Sequence, residues 1–384
     1  MLRGLTDDLQ ASGHRVTALL DSRIAAVHPP LNADHIVQVA FPGGTDLSMK
    51  KAAESADAAY VIAPESNHLL QSIVECVENT GTLSLNCESS AIKHVSDKTA
   101  LSRRTKQLGL DFPKTVTFNA NDYTQETSRI NPRDIGYPMI IKPGKGAGCN
   151  GISLVQNETQ IDEAVRKAKT ETATTNITAQ EFVEGIPISV SLVSIGPKAL
   201  PVSLNLQNVT LAPPNGCSTY NGGLIPFEHP LRSKAFAAAK RLIESFGNLR
   251  GYMGVDMVLT AEKAFVIEVN PRLTTSYVGL RKTVNFNLAQ AIIDSVLKDT
   301  LSPSNPKHNG YACFSKVPVC QAAIPNLSKT LLRAEALSPP FPIMGESIAY
   351  ALLLALGTTA NEAYLRLNET KQLHQIKALE KQPW

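Results

Sequence analysis

Apolar positions in the first ninety residues recur in two alternating rhythms. "MLRGLTDDLQASG" carries them at helical spacing and stops at Gly13, and a short apolar run centred on Val16–Leu20 then reads as a strand. "ADAAYVIAPESNHLLQSIVECVENTG" repeats the theme with a buried strand at Ala59–Ile62, a turn at Pro64, a helix, and Gly81 as its stop. "TLSLN" adds another short strand. Strands alternating with helices predict a doubly wound, parallel α/β layer covered on both faces. The first element is a helix where such a layer ordinarily begins with a central strand, so the expectation is a layer that lacks its first strand.

From Ser96 the rhythm changes. "SDKTALSRRTKQLGLDFPKT" predicts a helix with Ser96 or Asp97 at its N-cap and Gly109 at its end. A strand, a loop with Asn131 and Pro132, and the strand "YPMIIKP" follow, then "GISLVQ" and the amphipathic helix "NETQIDEAVRKAKT". "NITAQEFVEGIPISVSLVSI" predicts two strands flanking Gly185 and Pro187. Antiparallel-type strands are expected at Val190–Ile195, Leu200–Leu206, Met253–Leu259 and Ala264–Val269, with a helix at Lys234–Phe246 between them. "SPSNPKHNG" is a linker. The tail reads as a strand ending at Gly357 and a helix capped by Thr359, with Glu362 at the capping-box spacing.

Composition narrows the function classes. A chain of 384 residues favours two to three domains, and 43% hydrophobic with 18% charged residues excludes a disordered or fibrous protein. The formal charge of +3 gives nucleic acid and membrane no support as main partners. None of the six cysteines are spaced as C-x-x-C, which argues against a zinc knuckle or a thioredoxin-type pair. The N-terminus shows no secretory apolar region and the chain no apolar run of spanning length, so a cytoplasmic protein with reduced thiols is expected.

Two constellations carry candidate chemistry. Gly146-Ala147-Gly148-Cys149-Asn150-Gly151 has the G-x-G-x-x-G spacing of a dinucleotide fingerprint, yet β-branched, apolar "ISLVQ" follows it where that motif needs a helix. No Gly-Lys-Ser/Thr closes a Walker loop. A glycine-rich hairpin flap remains, able to lay backbone N–H groups over phosphates, with Lys142 and Lys145 as charges beside it. A plain β-turn without ligand is the competing reading. The second constellation is "GYMGVDMVLTAEKAFVIEVNPRLTTS". Asp256 lies in one strand, and Glu268 and Asn270 share a face of the next because side chains two apart in a strand point the same way. Three hard oxygen ligands suit Mg²⁺, and Arg272 could reach the same phosphates. The competing reading is a solvated hairpin; the apolar "FVIEVN" run around one acid counts against it.

Together these segments resemble the ATP-grasp superfamily over nearly the whole chain, in the order α/β pre-domain, "DKTALSRRTKQLGLDFPKT", "YPMIIKPGKGAGCNGI", "AQEFVEG", "GVDMVL", "VIEVNPRLTTS". The resemblance implies an ATP-grasp fold of α/β and α+β parts: a pre-domain at 1–95, a small lid subdomain at 96–184, a large subdomain at 185–302 and a C-terminal extension at 303–384 packing on the core. It implies ATP as co-substrate with Mg²⁺, or Mn²⁺ in its place. Lys98 and Lys142 would touch the α- and β-phosphates, with Lys145, Gly146 and Gly148 in the flap above them. Gln180, Glu181, Phe182 and Val183 would form the adenine hinge. Asp256, Glu268 and Asn270 would be the metal ligands and Arg272 the catalytic γ-phosphate contact. Many members carry a Glu after the hinge glycine for the ribose; Pro187 stands there, and Glu184 is the substitute candidate.

The implied reaction is ATP-dependent ligation of a carboxylate to an amine through an acylphosphate, on small-molecule substrates, with a homodimer as candidate assembly. "NPRLTTSYVGL", "YNGGLIPFEHPL", "GYACFSKVPV" and the N-terminal "MLRGLTDDLQASGHRVTALLD" look like the tyramine–glutamate ligases of methanofuran biosynthesis. Thr274, Thr275 and Ser276 are candidates for the substrate carboxylate, or else a simple polar turn. Tyr220 and His229 are candidates to cover the acceptor, and Arg281 to pair with a second carboxylate. Two alternatives stay open: another ligase resembling the pyrrolysine-pathway enzyme or D-alanine–D-alanine ligase, and a regulatory protein that binds ATP without chemistry.

Overall fold

The computed structural model describes residues 1–25, 31–40, 45–121, 135–144, 146, 148–172, 175–320, 336–338 and 348–379. The N-terminal part runs α1 (Leu2–Ala11), β1 (Thr17–Asp21), α2 (Ser22–Ala25), β2 (His35–Val39), α3 (Thr45–Glu54), β3 (Ala58–Ala59), α4 (Leu69–Glu78), β4 (Leu83–Ser84) and α5 (Ser89–Val95). Strands β1 and β2 pair in parallel, as do β3 and β4, the pairing that the helix–strand alternation predicts. The strand anticipated at Ala59–Ile62 is cut short for a local reason. Beyond Ala59 the side-chain amide of Asn86 takes over, accepting from the Val61 N–H at 2.7 Å and donating to the Val61 carbonyl at 2.9 Å.

Helix α6 (Lys98–Gln107) starts where its cap predicts: Asp97 accepts from the Thr99 and Ala100 N–H groups. It leads into a four-stranded antiparallel sheet of β5 (Thr115–Asn119), β6 (Met139–Pro143), β7 (Ser153–Val155) and β8 (Asn176–Glu181), ordered β5-β8-β6-β7. Helix α7 (Ile161–Thr170) seals one face of that sheet with Ile161, Ala164, Val165 and Ala168, packed on Met139, Ile141, Ile177 and Ala179. The loop expected at Asn131 and Pro132 lies outside the described residues.

A seven-stranded antiparallel sheet forms the rest. Its strands are β9 (Ile186–Ile195), β10 (Ala199–Thr210), β11 (Thr219–Ile225), β12 (Arg250–Leu259), β13 (Ala264–Asn270), β14 (Tyr311–Cys320) and β15 (Ile348–Gly357), in the order β13-β12-β9-β10-β11-β14-β15. Helix α8 (Arg232–Glu244) lies on one face; α9 (Tyr277–Thr283) and α10 (Leu288–Leu297) pack on the other, and α11 (Ala360–Leu379) follows β15. Pro187 is the second residue of β9, near the strand start where a missing N–H is tolerated.

Period-two alternation decides what each face of this sheet does. Ile188, Val190 and Leu192 of β9 and Met253, Val255 and Met257 of β12 pack beneath α8 with Ala235, Ala239 and Leu242, nearly all fully buried. Each of the Ile, Val, Leu and Met side chains among them contributes about 1.5–3 kcal/mol on burial. The intervening positions, Ser189, Ser191, Tyr252 and Asp256, therefore share the opposite face. No helix among the described residues is long and apolar enough to cross a membrane.

Candidate active site

Asp256 and Glu268 are direct partners across the β12–β13 hairpin, and Gly254 faces Asn270 two residues on. Past this pair the register shifts, Met257 facing Val266, so that Ile267 of β13 is the extra residue of a bulge. Asn270 donates to one oxygen of Asp256 at 2.9 Å, and Gln207 of β10 donates to the other at 3.0 Å. Burial first, then the charge of Glu268, pushes the Asp256 carboxyl above the usual range; the amide donors and Arg272 pull the other way. Below these acids lies a ladder of hydroxyls: Ser191 to Tyr252 at 2.8 Å, Tyr252 to Thr274 at 3.1 Å, Thr274 to Ser276 at 2.7 Å.

The four-stranded sheet supplies the opposite wall. Lys142 is buried and donates to the Gln180 side-chain oxygen at 2.8 Å, while the Gln180 amide is held by Thr115 at 2.9 Å. Burial, followed by repulsion from Lys98, brings the Lys142 ammonium down to about 7. Lys98, at the start of α6, reaches toward Glu268 at 3.8 Å and donates to the Pro143 carbonyl at 3.3 Å. Between β6 and β7 the glycine segment turns with Gly148, Cys149 and Gly151 all at positive φ, and the strands flanking it pair antiparallel. The glycines thus join two strands, and no helix follows them.

These walls enclose one cavity of about 270 Å³. Lys98, Lys142, Gly146 and Gly148 line it, as do Gln180–Val183, Tyr220, Asp256, Glu268, Asn270, Arg272 and Thr274–Ser276. Residues 95–276 match the family model of the ATP-grasp domain, and residues 14–92 match that of the pre ATP-grasp 3 domain. The chain belongs to the ATP-grasp superfamily. It is 29% identical over 249 residues to the tyramine–L-glutamate ligase of Methanocaldococcus fervens, a match covering 65% of this chain and 69% of that protein. The biotin carboxylase of Campylobacter jejuni superposes with a TM-score of 0.75 at 15% identity, covering 97% of this chain and 91% of that one. The L-amino acid ligase of Bacillus licheniformis gives 0.67 at 16% identity, covering 98% and 94%.

Several residues anticipated for this ATP-grasp site stand elsewhere. Arg281 faces away from the cavity because Asp8 of α1 holds it, with Nε donating at 2.8 Å and Asp7 beyond. His229 lies outside the lining too; its Nδ1 accepts from the Leu231 N–H at 3.1 Å and its ring stacks on Phe227. Glu184 is exposed and outside the lining, whereas Pro187 is part of it. Lys145 lies outside the described residues.

Two polar residues near the cavity escaped the sequence. Gln207 holds Asp256, and Glu65 holds Arg272, whose Nε donates to Glu65 Oε2 at 2.8 Å while Nη2 pairs with the same oxygen at 2.8 Å. Glu65 follows β3 and Pro64; its signal was an acid at the carboxyl end of a parallel strand, where ligand sites of α/β layers collect. Asp256, Glu268 and Asn270 fit a divalent cation. Two like charges face each other in a buried pocket with only amide donors bonded to Asp256, and hard oxygens are the donor set Mg²⁺ takes. Among the described residues no three His, Cys, Asp or Glu side chains gather to hold a metal ion.

Proposed function

We propose that the protein is an ATP-dependent carboxylate–amine ligase that forms an amide through an acylphosphate, with glutamate as the acid and tyramine as the amine. One observation carries the ligase reading: Lys98 of α6, Lys142 of the lid sheet, Asp256, Glu268 and Asn270 of the large sheet and Arg272 just beyond it line a single cavity. The tyramine–glutamate assignment rests on the similarity to the ligase of that name and on the segments "YNGGLIPFEHPL" and "GYACFSKVPV".

Phosphoryl transfer asks a protein mainly for position and charge. Lys98 and Lys142 neutralise the α- and β-phosphates, and the Gln180–Val183 segment receives adenine. Asp256, Glu268 and Asn270 would hold a Mg²⁺ ion, which would supply charge neutralisation to the phosphates. Thr274, Thr275 and Ser276 hold the acid so that its carboxylate oxygen attacks the γ-phosphorus, with ADP leaving as Arg272 balances the transferring phosphoryl group. The amine nitrogen then attacks the acyl carbon, phosphate departs, and the ammonium formed loses its proton. Tyr220, lining the cavity toward Phe314 with a ring separation of 6.4 Å, gives the acceptor an aromatic wall. Burial, with Glu268 and Asp256 nearby, pushes the Cys149 thiol up to about 11, so Cys149 stays protonated and takes no part.

The test is ADP release with MgATP, glutamate and tyramine, leaving out one component at a time. Release that requires all of them supports the assignment. Release that follows another acid and amine keeps the ligase and moves the specificity, and none with any pair across a panel overturns the reading.

A further inference from the structure

We infer that Glu65 is a positioning residue for nucleotide recognition: it fixes the Arg272 guanidinium and so joins the N-terminal α/β layer to the γ-phosphate end of the site. The inference rests on the ATP-grasp reading above and adds a residue that the reading did not contain.

The contact is direct. Arg272 Nε and Nη2 both reach Glu65 Oε2 at 2.8 Å, across 207 residues of sequence. The remaining bonds of the guanidinium go to the Leu273 carbonyl at 3.2 Å and to the Asn270 side-chain oxygen at 3.3 Å. Both of these belong to Arg272's own hairpin end, so among the described residues Glu65 is its anchor from another element. Both side chains are shielded, at 15% and 10% exposed. A buried guanidinium with one charged partner depends on that partner for its orientation.

Glu65 is equally dependent. Its Oε1 is buried and has no hydrogen-bond partner among the described residues, so compensation of the carboxylate comes through Oε2 and Arg272. A side chain kept only to fasten two layers would be expected to satisfy both oxygens. The backbone after it is also unusual. Asn67 and His68 both stand at positive φ, 51° and 62°, in the turn that brings Glu65 to the end of β3 ahead of α4. Two consecutive non-glycine residues in the left-handed region persist only where the surroundings hold them, and such strain gathers at functional sites. The His68 N–H bonds the Glu65 carbonyl at 3.2 Å and the Leu70 N–H bonds the Pro64 carbonyl at 3.0 Å, closing the turn on both sides of the acid.

Glu65 stands outside the main cavity lining and borders a smaller pocket with Lys98, Glu268 and Asn270; the site residue it is bonded to is Arg272. Its bonded route to the nucleotide is the guanidinium, which the ATP-grasp reading places at the γ-phosphate. This separates it from a residue that merely supports the fold.

The test measures the affinities of ADP and of the β,γ-imido analogue of ATP by calorimetry with Mg²⁺, for the wild type, Glu65→Ala, Glu65→Gln, Arg272→Ala and the Glu65→Ala/Arg272→Ala pair. Glu65→Ala should lower the preference for the analogue over ADP by about tenfold, leaving ADP affinity within about twofold, and Glu65→Gln, which keeps one acceptor oxygen, should fall between. The double variant should match Arg272→Ala, since nothing remains for Glu65 to position. An undiminished preference in Glu65→Ala and Glu65→Gln, equal losses for both nucleotides, or additive losses in the double variant would overturn the inference. A wild type that binds neither nucleotide would instead sink the ATP-grasp ligase reading.

Discussion

Lys142 donates to the amide oxygen of Gln180 inside a buried wall, and its ammonium sits near neutrality rather than near the usual lysine range. In the free protein it is therefore largely uncharged above pH 7. Phosphates beside it favour the charged form, so nucleotide binding raises its pKa and takes up a proton. Between pH 7 and 9, ATP binding measured by calorimetry in buffers of different ionisation enthalpy should show net proton uptake, absent in Lys142→Met. Glu268→Gln and Arg272→Ala should each lower turnover by about 10²–10³-fold, the size found when one electrostatic contact to a transition state is removed, with circular dichroism unchanged. Near wild-type ADP release in either would break the assignment of those residues. The side chains on the hairpin strands were readable because period-two spacing alone puts Glu268 and Asn270 on one face. Glu65 and Gln207 were not, since each acts on a partner far along the chain.

Among the elements, the glycine hairpin between β6 and β7 shows why spacing needs context. Its G-x-G-x-x-G pattern suits several architectures, and the β-branched residues after it select the hairpin. The glycines are also unequal. At Gly151, φ is +70° and an added Cβ would meet Pro143 at 2.9 Å and Glu171 at 3.0 Å; at Gly148, φ is +72° and the space is open. Gly148→Ala should therefore carry only the left-handed backbone cost of about 1–2 kcal/mol, whereas Gly151→Ala adds a clash. Steady-state kinetics should show a larger rise in the KM for ATP for Gly151→Ala. Caps were as legible as turns. Asp97 starts α6, and Thr359 accepts from the Glu362 N–H at 3.2 Å, although the Glu362 carboxylate reaches back to Thr358 rather than to Thr359. Strands β2, β11 and β14 carry weaker patterns; β11 is rich in Gly and Asn, and its place is set by pairing with β10 and β14.

The molecule as a whole is tied together by pairs that no local pattern shows. Helix α1 docks on α9 through Asp8, which accepts from Arg281 and, at 2.6 Å, from the Tyr277 hydroxyl, while Asn287 donates to the Asp8 carbonyl at 2.7 Å. Asp8→Ala would leave the shielded Arg281 charge with only the more distant Asp7, 3.8 Å away. The cost should be about 3–5 kcal/mol, seen as a lower unfolding midpoint in urea, with nucleotide affinity near wild type while the protein stays folded. Arg281 was a candidate to pair with a second substrate carboxylate; the packing of α1 gives it Asp8 instead.

The alternation of strand and helix, the capped helix at Lys98, the flap and the acid–x–amide strand were all present in local spacing, because each follows from backbone periods of 2 and 3.6 residues and from glycine's tolerance of positive φ. Their order along the chain resembles the ATP-grasp superfamily, and that resemblance named Lys98, Lys142, Asp256, Glu268, Asn270 and Arg272, which line the cavity. Tertiary structure alone brought Glu65 to Arg272, Gln207 to Asp256 and Asp8 to Arg281. Pairs of this kind join elements that meet only after the layers pack, and the energy of a buried charge depends on that meeting rather than on its neighbours in the chain.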